Sequence, residues 1–408
     1  GSSPHADRGR KGKDEDEYES DNLSFQNPLP SSSQKKTPTK KVNSENVKSA
    51  HLKFSSHDYE YLFQKSDLTA WNDSDRWSSV DMEATGPGPS SAPSIVLPGT
   101  VLYYSKTTVS ERELTQLAQI RPVVFDFNVQ STIRDCLKML ERKEEYDIVH
   151  EFLELEHMAL SSDFNYGNEL HNRDKNRYRD ILPYDSTRVP LGKSKDYINA
   201  SYIRIVNYED ENFYIATQGP LPETIDDFWQ MVWENNSNVI AMITREIEDG
   251  VIKCHCYWPI SKEPLELKHL RVFLEHYQIT QYFIIRVFQI VKKSTGISHC
   301  VKHLQFTRWP DHGTPASADY FIKYVRYVRK CHITGPLVVH CSAGVGRTGV
   351  FICLDVVFCA IEKNYSFNIM NIVTQMRKQR CGMIQTKEQY RFCYDIALEV
   401  LQNLLALT

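Results

Sequence analysis

Between Pro336 and Gly349 the chain passes from an apolar run, Leu337-Val338-Val339, through His340-Cys341 into a turn of small residues, Ser342-Ala343-Gly344-Val345-Gly346. Arg347-Thr348-Gly349 follows, ahead of a long apolar stretch. The apolar run reads as a buried strand and the stretch after Gly349 as a helix. A glycine-rich turn between the two aims several backbone N–H groups and a helix N-terminus at one spot, which makes that spot an anion site. A cysteine at its base is stabilised as the thiolate, because the same N–H groups, the helix dipole and Arg347 all favour negative charge there. Arg347, six residues after Cys341, can return to the turn and grip two phosphate oxygens with its planar fork, a geometry lysine cannot reproduce. Thr348 can donate its hydroxyl to the cysteine sulfur. An inert buried cysteine at a strand end would not call for three glycines and an arginine in the next turn.

The rest of the chain limits where such a site could work. Hydrophobic residues at 41% and charged residues at 25% fit a globular protein, and a formal charge of -4 gives no pull toward nucleic acid, so no nucleic-acid partner is expected. No apolar run is long enough to span a bilayer and the N-terminus lacks the apolar centre of a secretory signal, so a cytoplasmic location is expected. The first residue is Gly, and the opening residues carry no functional weight in this reading. Ten cysteines spread through apolar surroundings read as reduced core thiols. Cys254 and Cys256 flank His255, but no second ligand cluster follows at zinc-like spacing, so neither a metal nor a cofactor is expected. Sequons such as those at Asn72, Asn199, Asn235 and Asn364 read as chance matches.

Residues 1–108 are rich in Ser, Pro, Asp, Glu and Lys and read as a disordered tail, because such a composition buries too little apolar surface to offset chain ordering. Its islands His57–Phe63 and Trp71 with Trp77 are candidates to dock unknown protein partners. Thr37, ahead of Pro38, is one of many possible phosphorylation sites. Ser110 with Glu113 forms a capping box before Leu114, Leu117 and Ile120, and Pro122 closes that helix; Ile133, Leu137 and Leu140 continue a helical stripe. Residues 109–146 are therefore expected to be a helical linker. Ile148, Val149, Phe152, Leu153 and Leu155 open the compact domain, placed at 147–404, where β-branched and aromatic runs alternate with helical patterns and no internal repeat appears.

With these motifs the sequence resembles the cysteine-dependent protein tyrosine phosphatases, whose signature is His-Cys, five residues, Arg and Ser or Thr. Lys175-Asn176-Arg177-Tyr178-Arg179-Asp180 is similar to their phosphotyrosine recognition loop, and Asp196 to Ser201 to a structural motif. Gln218-Gly219-Pro220-Leu221 resembles the segment after it, Trp309-Pro310-Asp311-His312-Gly313 the mobile acid loop, and Gln385 to Tyr390 the glutamine loop. The likeness covers about 147–404 and is strongest with a small non-receptor member. It implies an α/β (α+β) fold: a twisted, mixed, mainly parallel sheet flanked by helices, with the site at the turn after Val339.

The resemblance also implies roles. Cys341 is the nucleophile, and Arg347 with the turn from Ser342 through Ala343, Gly344, Val345 and Gly346 binds the phosphate. Asp311 is general acid and then base, Gln385 positions the hydrolytic water and Gln389 helps, and Thr348 assists the sulfur. Tyr178 stacks on the substrate ring and walls a cleft too deep for phosphoserine, and Asp180 holds a substrate amide. Glu248 and Lys253 fall in a supporting loop whose charged residues contact the catalytic arginine and aspartate. Arg347 and the backbone amides take over the charge neutralisation that a divalent metal usually provides in phosphoryl transfer. The implied partners are phosphotyrosine-containing proteins. One alternative is an inactive phosphotyrosine-binding module, which would have lost Cys341, Arg347 or Asp311. The other is a phosphoinositide or dual-specificity phosphatase, which would lack the Tyr178 segment and usually carries basic residues inside the loop.

Overall fold

A computed structural model describes residues 109–122, 126–160, 163–310 and 312–406. The expected tail, with its two islands and Thr37, lies outside the described residues. The chain opens with helices α1 (Glu111–Leu117), α2 (Phe127–Glu141), α3 (Glu145–Glu156) and the single turn α4 (Asn165–Asn168). Next come strands β1 (Ala200–Asn207) and β2 (Asp210–Thr217), helix α5 (Ile225–Glu234), and strands β3 (Val239–Met242), β4 (Ile247–Glu248), β5 (Val251–Ile252) and β6 (Leu265–Glu266). Three long strands follow, β7 (Leu270–Ile279), β8 (Phe283–Lys292) and β9 (Ser298–Phe306), then α6 (Asp319–Cys331), β10 (Leu337–His340), α7 (Gly346–Glu362), α8 (Ile369–Gln379) and α9 (Lys387–Ala406).

Eight strands form one sheet in the order β1-β2-β10-β3-β9-β8-β7-β6, while β4 and β5 make a separate hairpin. The sheet is mixed. Its parallel character is confined to the centre, where β10 lies between β2 and β3 and β3 pairs with β9; antiparallel pairs complete both sides. Parallel central strands must be covered on both faces, and β10 is buried along its whole length. One face packs against α6, α7, α8 and α9 around Phe321, Tyr324, Phe351 and Ile396; the other packs against α5 around Phe228, Trp229 and Met231. Each such side chain contributes about 1.5–3 kcal/mol on burial. Helix α7 is enclosed nearly all round, which explains its continuous apolar sequence Val350-Phe351-Ile352-Cys353-Leu354.

The stretch expected to be a linker is helical, but it is packed onto the body. Val109, Leu114, Ile120, Val129 and Ile133 belong to the same apolar cluster as α6, α7 and α9. The apolar residues at helical spacing seat α1 on α6 and α2 on α9. Ser110 does cap α1, its hydroxyl accepting from the Glu113 N–H at 3.1 Å, whereas the Glu113 carboxylate turns away to Lys330. All ten cysteines are free thiols. Among the described residues no helix is long and apolar enough to cross a membrane.

The register matters for the site. His340 pairs with Thr217 on one side and Met242 on the other, so β10 ends level with both neighbours and delivers its next residue to the rim of the sheet. The Ile243 N–H to the His340 carbonyl and the Gly219 N–H to the Ser342 carbonyl, both 2.9 Å, tie the start of the following loop to both flanks.

Candidate active site

Cys341 lies at the end of β10 and is 5% exposed. The loop after it can turn sharply because Gly344 takes a φ of +81°, and a Cβ there would stand 2.3 Å from the Thr217 carbonyl oxygen. At Gly346 a Cβ would meet the Gln385 side-chain oxygen at 2.5 Å, so the glycine lets the glutamine approach the mouth of the loop.

Arg380, wholly buried, holds this loop from behind. Its guanidinium donates to the carbonyls of Gly344 (3.0 Å) and Ala343 (3.1 Å), to Ser201 Oγ (3.0 Å) and to Asn199 Oδ1 (2.8 Å). A planar peptide carries its N–H opposite its carbonyl, so the N–H groups of Gly344 and Val345 face away from Arg380. Burial brings Arg380 down to about 10, against the opposing pull of Tyr197 and Cys341, which leaves it charged at neutral pH. Sequence reasoning passed over Arg380: it follows Arg377 and Lys378 in an ordinary basic stretch, and its partners at positions 199, 201, 343 and 344 share no spacing with it.

Around the thiol, the Thr348 hydroxyl donates to Cys341 Sγ at 3.1 Å from the first turn of α7. Arg347 is held by a fork, its two terminal nitrogens each 3.0 Å from an oxygen of Glu248, with a further bond to the Ile243 carbonyl at 3.4 Å. Burial alone would raise the Glu248 carboxyl, but Arg347 and then Arg245 outweigh it and hold it below the usual carboxylate range. Glu248, a supporting residue in the sequence reading, is thus the partner that orients the arginine plane. The Trp309 ring lies 5.3 Å from the Arg347 guanidinium carbon and is anchored by Phe321 and Phe392, and its indole N–H donates to the Gly313 carbonyl at 3.0 Å.

Beneath the loop runs a buried row of hydrogen bonds with one self-consistent direction. The Cys341 carbonyl can only accept, so His340 carries its proton on Nδ1 (2.9 Å) and accepts from the Tyr257 hydroxyl on Nε2 (2.7 Å). Tyr257 must then accept from His303 Nε2–H (2.9 Å), leaving His303 Nδ1 to accept from Arg286 (3.4 Å). Burial drives both histidines down, His340 to about 4, so both are neutral at pH 7. Every dipole in the row points its positive end toward the residue that carries the thiol.

Tyr178 is buried beside the loop, its hydroxyl 2.6 Å from Ser342 Oγ; Ser342 in turn donates to the Lys253 carbonyl at 2.7 Å, so Tyr178 is the donor to Ser342. Its neighbour Arg177 bonds the carbonyls of Gly219 and Pro220, which sets the wall of the site. Asp180 is exposed. Gln389 Oε1 accepts from the backbone N–H groups of Gln385 (2.9 Å) and Thr386 (3.3 Å), fixing the turn that presents Gln385. Asp311 lies outside the described residues, though Trp309, Pro310, His312 and Gly313 around it are described.

A thiol under a loop of small residues, a hydroxyl on its sulfur and a carboxylate-braced arginine at the mouth meet at the end of a central strand of a mixed α/β sheet. The family model for Protein-tyrosine phosphatase matches residues 172–399, and the chain belongs to that family. It is 69% identical to tyrosine-protein phosphatase non-receptor type 20 of Mus musculus across all of both chains, and 65% identical to that of Homo sapiens over 95% of each. Non-receptor type 13 of Mus musculus is 45% identical over 68% of this chain and 11% of its own length. The protein is an enzyme that hydrolyses phosphotyrosine in proteins.

Proposed function

We propose that hydrolysis proceeds through a phosphocysteine on Cys341. The sulfur attacks phosphorus in line with the tyrosine oxygen. As the P–O bond breaks, Asp311 delivers its proton to the leaving phenolate oxygen. Asp311, now a carboxylate, takes a proton from water, which Gln385 and Gln389 place against phosphorus; the S–P bond breaks, inorganic phosphate leaves, and the Thr348 hydroxyl eases departure of the sulfur. The N–H groups of Ser342 to Gly346 and the Arg347 fork hold the phosphate oxygens throughout. Tyr178 walls the cleft against the substrate ring and Asp180 accepts from the substrate backbone. Residues 147–404 carry the catalytic residues, with 109–146 packed against them, the enzyme works in the cytoplasm, and the tail of residues 1–108 docks protein partners.

The observation that carries this reading is the Thr348 hydroxyl on the Cys341 sulfur inside a loop whose carbonyls are drawn back by Arg380. Wild type, Asp311→Ala and Cys341→Ser are mixed with a phosphotyrosine peptide in EDTA and followed by intact-protein mass spectrometry. Expected are turnover by wild type, slow turnover by Asp311→Ala, and no turnover but retained peptide binding by Cys341→Ser. Turnover by Cys341→Ser would sink the mechanism.

A further inference from the structure

The described residues on either side of Asp311, Trp309 and Pro310 before it and His312 and Gly313 after it, are flanked by two supports, and helix α1 grips both. On the entering side the Thr307 N–H and hydroxyl donate to the Tyr282 carbonyl (3.1 and 3.2 Å), and Arg308 Nε donates to the Gln281 carbonyl (2.9 Å). On the leaving side stands α6, whose Phe321 meets the Trp309 ring edge-on at 5.4 Å.

The Glu111 carboxylate spans the two. One oxygen accepts from the Tyr282 hydroxyl (2.5 Å) and the other from Lys323 of α6 (2.9 Å); Lys323 also reaches Asp319, the first residue of α6, at 3.1 Å. Tyr282 is fully buried and stacks on Tyr320 at 4.5 Å, so a shift of its ring is a shift of both supports. Helix α1 is itself locked down. Gln278 exchanges two 2.9 Å bonds with the backbone of Val109, Glu113 pairs with Lys330, Arg326 donates to the Leu117 carbonyl at 3.4 Å, and Leu114 is fully buried.

We propose that α1 is a brace for the acid loop and that Glu111 is a positioning residue, acting through Tyr282 and Lys323 on the geometry in which the loop presents its acid. The inference rests on the assignment of Asp311 as general acid made above. A carboxylate that merely glued α1 to the body would affect folding and leave the chemistry alone. A brace would tell selectively on substrates whose leaving oxygen needs a proton.

Full-length wild type, Glu111→Ala, Tyr282→Phe and Asp311→Asn are compared in kcat/KM on a phosphotyrosine peptide and on an aryl phosphate whose phenol is acidic enough to leave unprotonated. The rate of Cys341 alkylation by iodoacetate is recorded alongside. For Glu111→Ala and Tyr282→Phe we expect a loss of about fivefold on the peptide, the rate equivalent of one hydrogen bond, less than twofold on the activated ester, and unchanged alkylation. Tyr282→Phe keeps the ring and the backbone bonds to Thr307, so it carries the test if Glu111→Ala does not fold. Equal losses on the two substrates, or none, overturn the brace. If Asp311→Asn discriminates between the substrates and the α1 variants do not, the brace alone falls; if Asp311→Asn does not discriminate, the acid assignment falls and the brace with it.

Discussion

Two glycines with nearly the same backbone angle separate conformational strain from collision. Gly344 has a φ of +81° and a Cβ would strike the Thr217 carbonyl at 2.3 Å; Gly250 has a φ of +75° and nothing within 4 Å. Gly250→Ala should cost only the left-handed strain, about 1 kcal/mol, and leave activity near wild type. Gly344→Ala adds the collision and displaces the phosphate loop, so activity should fall by roughly 100-fold or more, in line with the loss of positioned transition-state contacts. Peptide assays and thermal melts of the pair would decide it, and equal behaviour would show that the close approach to Thr217 is not what requires glycine at 344. Gly344, Cys341, Arg347 and Thr348 were legible in the sequence because they fall within one contiguous turn whose purpose follows from its composition. Arg380 was not, because its partners lie 36 to 181 positions away and give no local pattern; the contact of the Glu248 loop with Arg347 was expected only from the family resemblance.

The row of hydrogen bonds beneath the loop belongs to three strands, β10, β9 and β8, and to the buried Tyr257. Its direction is testable without an assay. Long-range 1H–15N spectra should show His340 as the neutral Nδ1–H form and His303 as the neutral Nε2–H form at pH 7, and Tyr257→Phe should leave His340 neutral while releasing His303 from that form. The opposite pair of tautomers in wild type would refute the assigned direction. Strand β10 and helix α7 were readable from an apolar run and a glycine turn. The parallel centre with antiparallel flanks was not, since strand order depends on non-local pairing that no single segment records. Helices α1 and α2 were readable as helices, but their seat on the body rests on apolar residues of α6 and α9 far along the chain.

Across the molecule, three histidines among the described residues, His276, His303 and His340, are buried and held neutral well below the usual 6.5; His340 is brought to about 4 and His276 to about 3. The unfolded chain protonates these rings as pH falls through 6.5 while the folded one does not, so stability is lost on the way down from about pH 6.5 and the His340 part levels off near pH 4. Each ring contributes about 1.4 kcal/mol per pH unit inside its window, roughly 4 kcal/mol for three. Urea melts at pH 7, 6 and 5 should show a steady decline in ΔG, flattened in a His303→Gln variant; stability independent of pH over that range would show that the rings are not buried neutral.

Arg380 ties the phosphate loop to Asn199 and Ser201, so the loop's shape depends on three stretches of chain that are made at very different times. During synthesis the cysteine leaves the ribosome before the side chain that draws its loop into form. A nascent chain whose Arg380 is still inside the ribosome is therefore expected to leave phosphotyrosine untouched, which assays of stalled ribosome complexes would check.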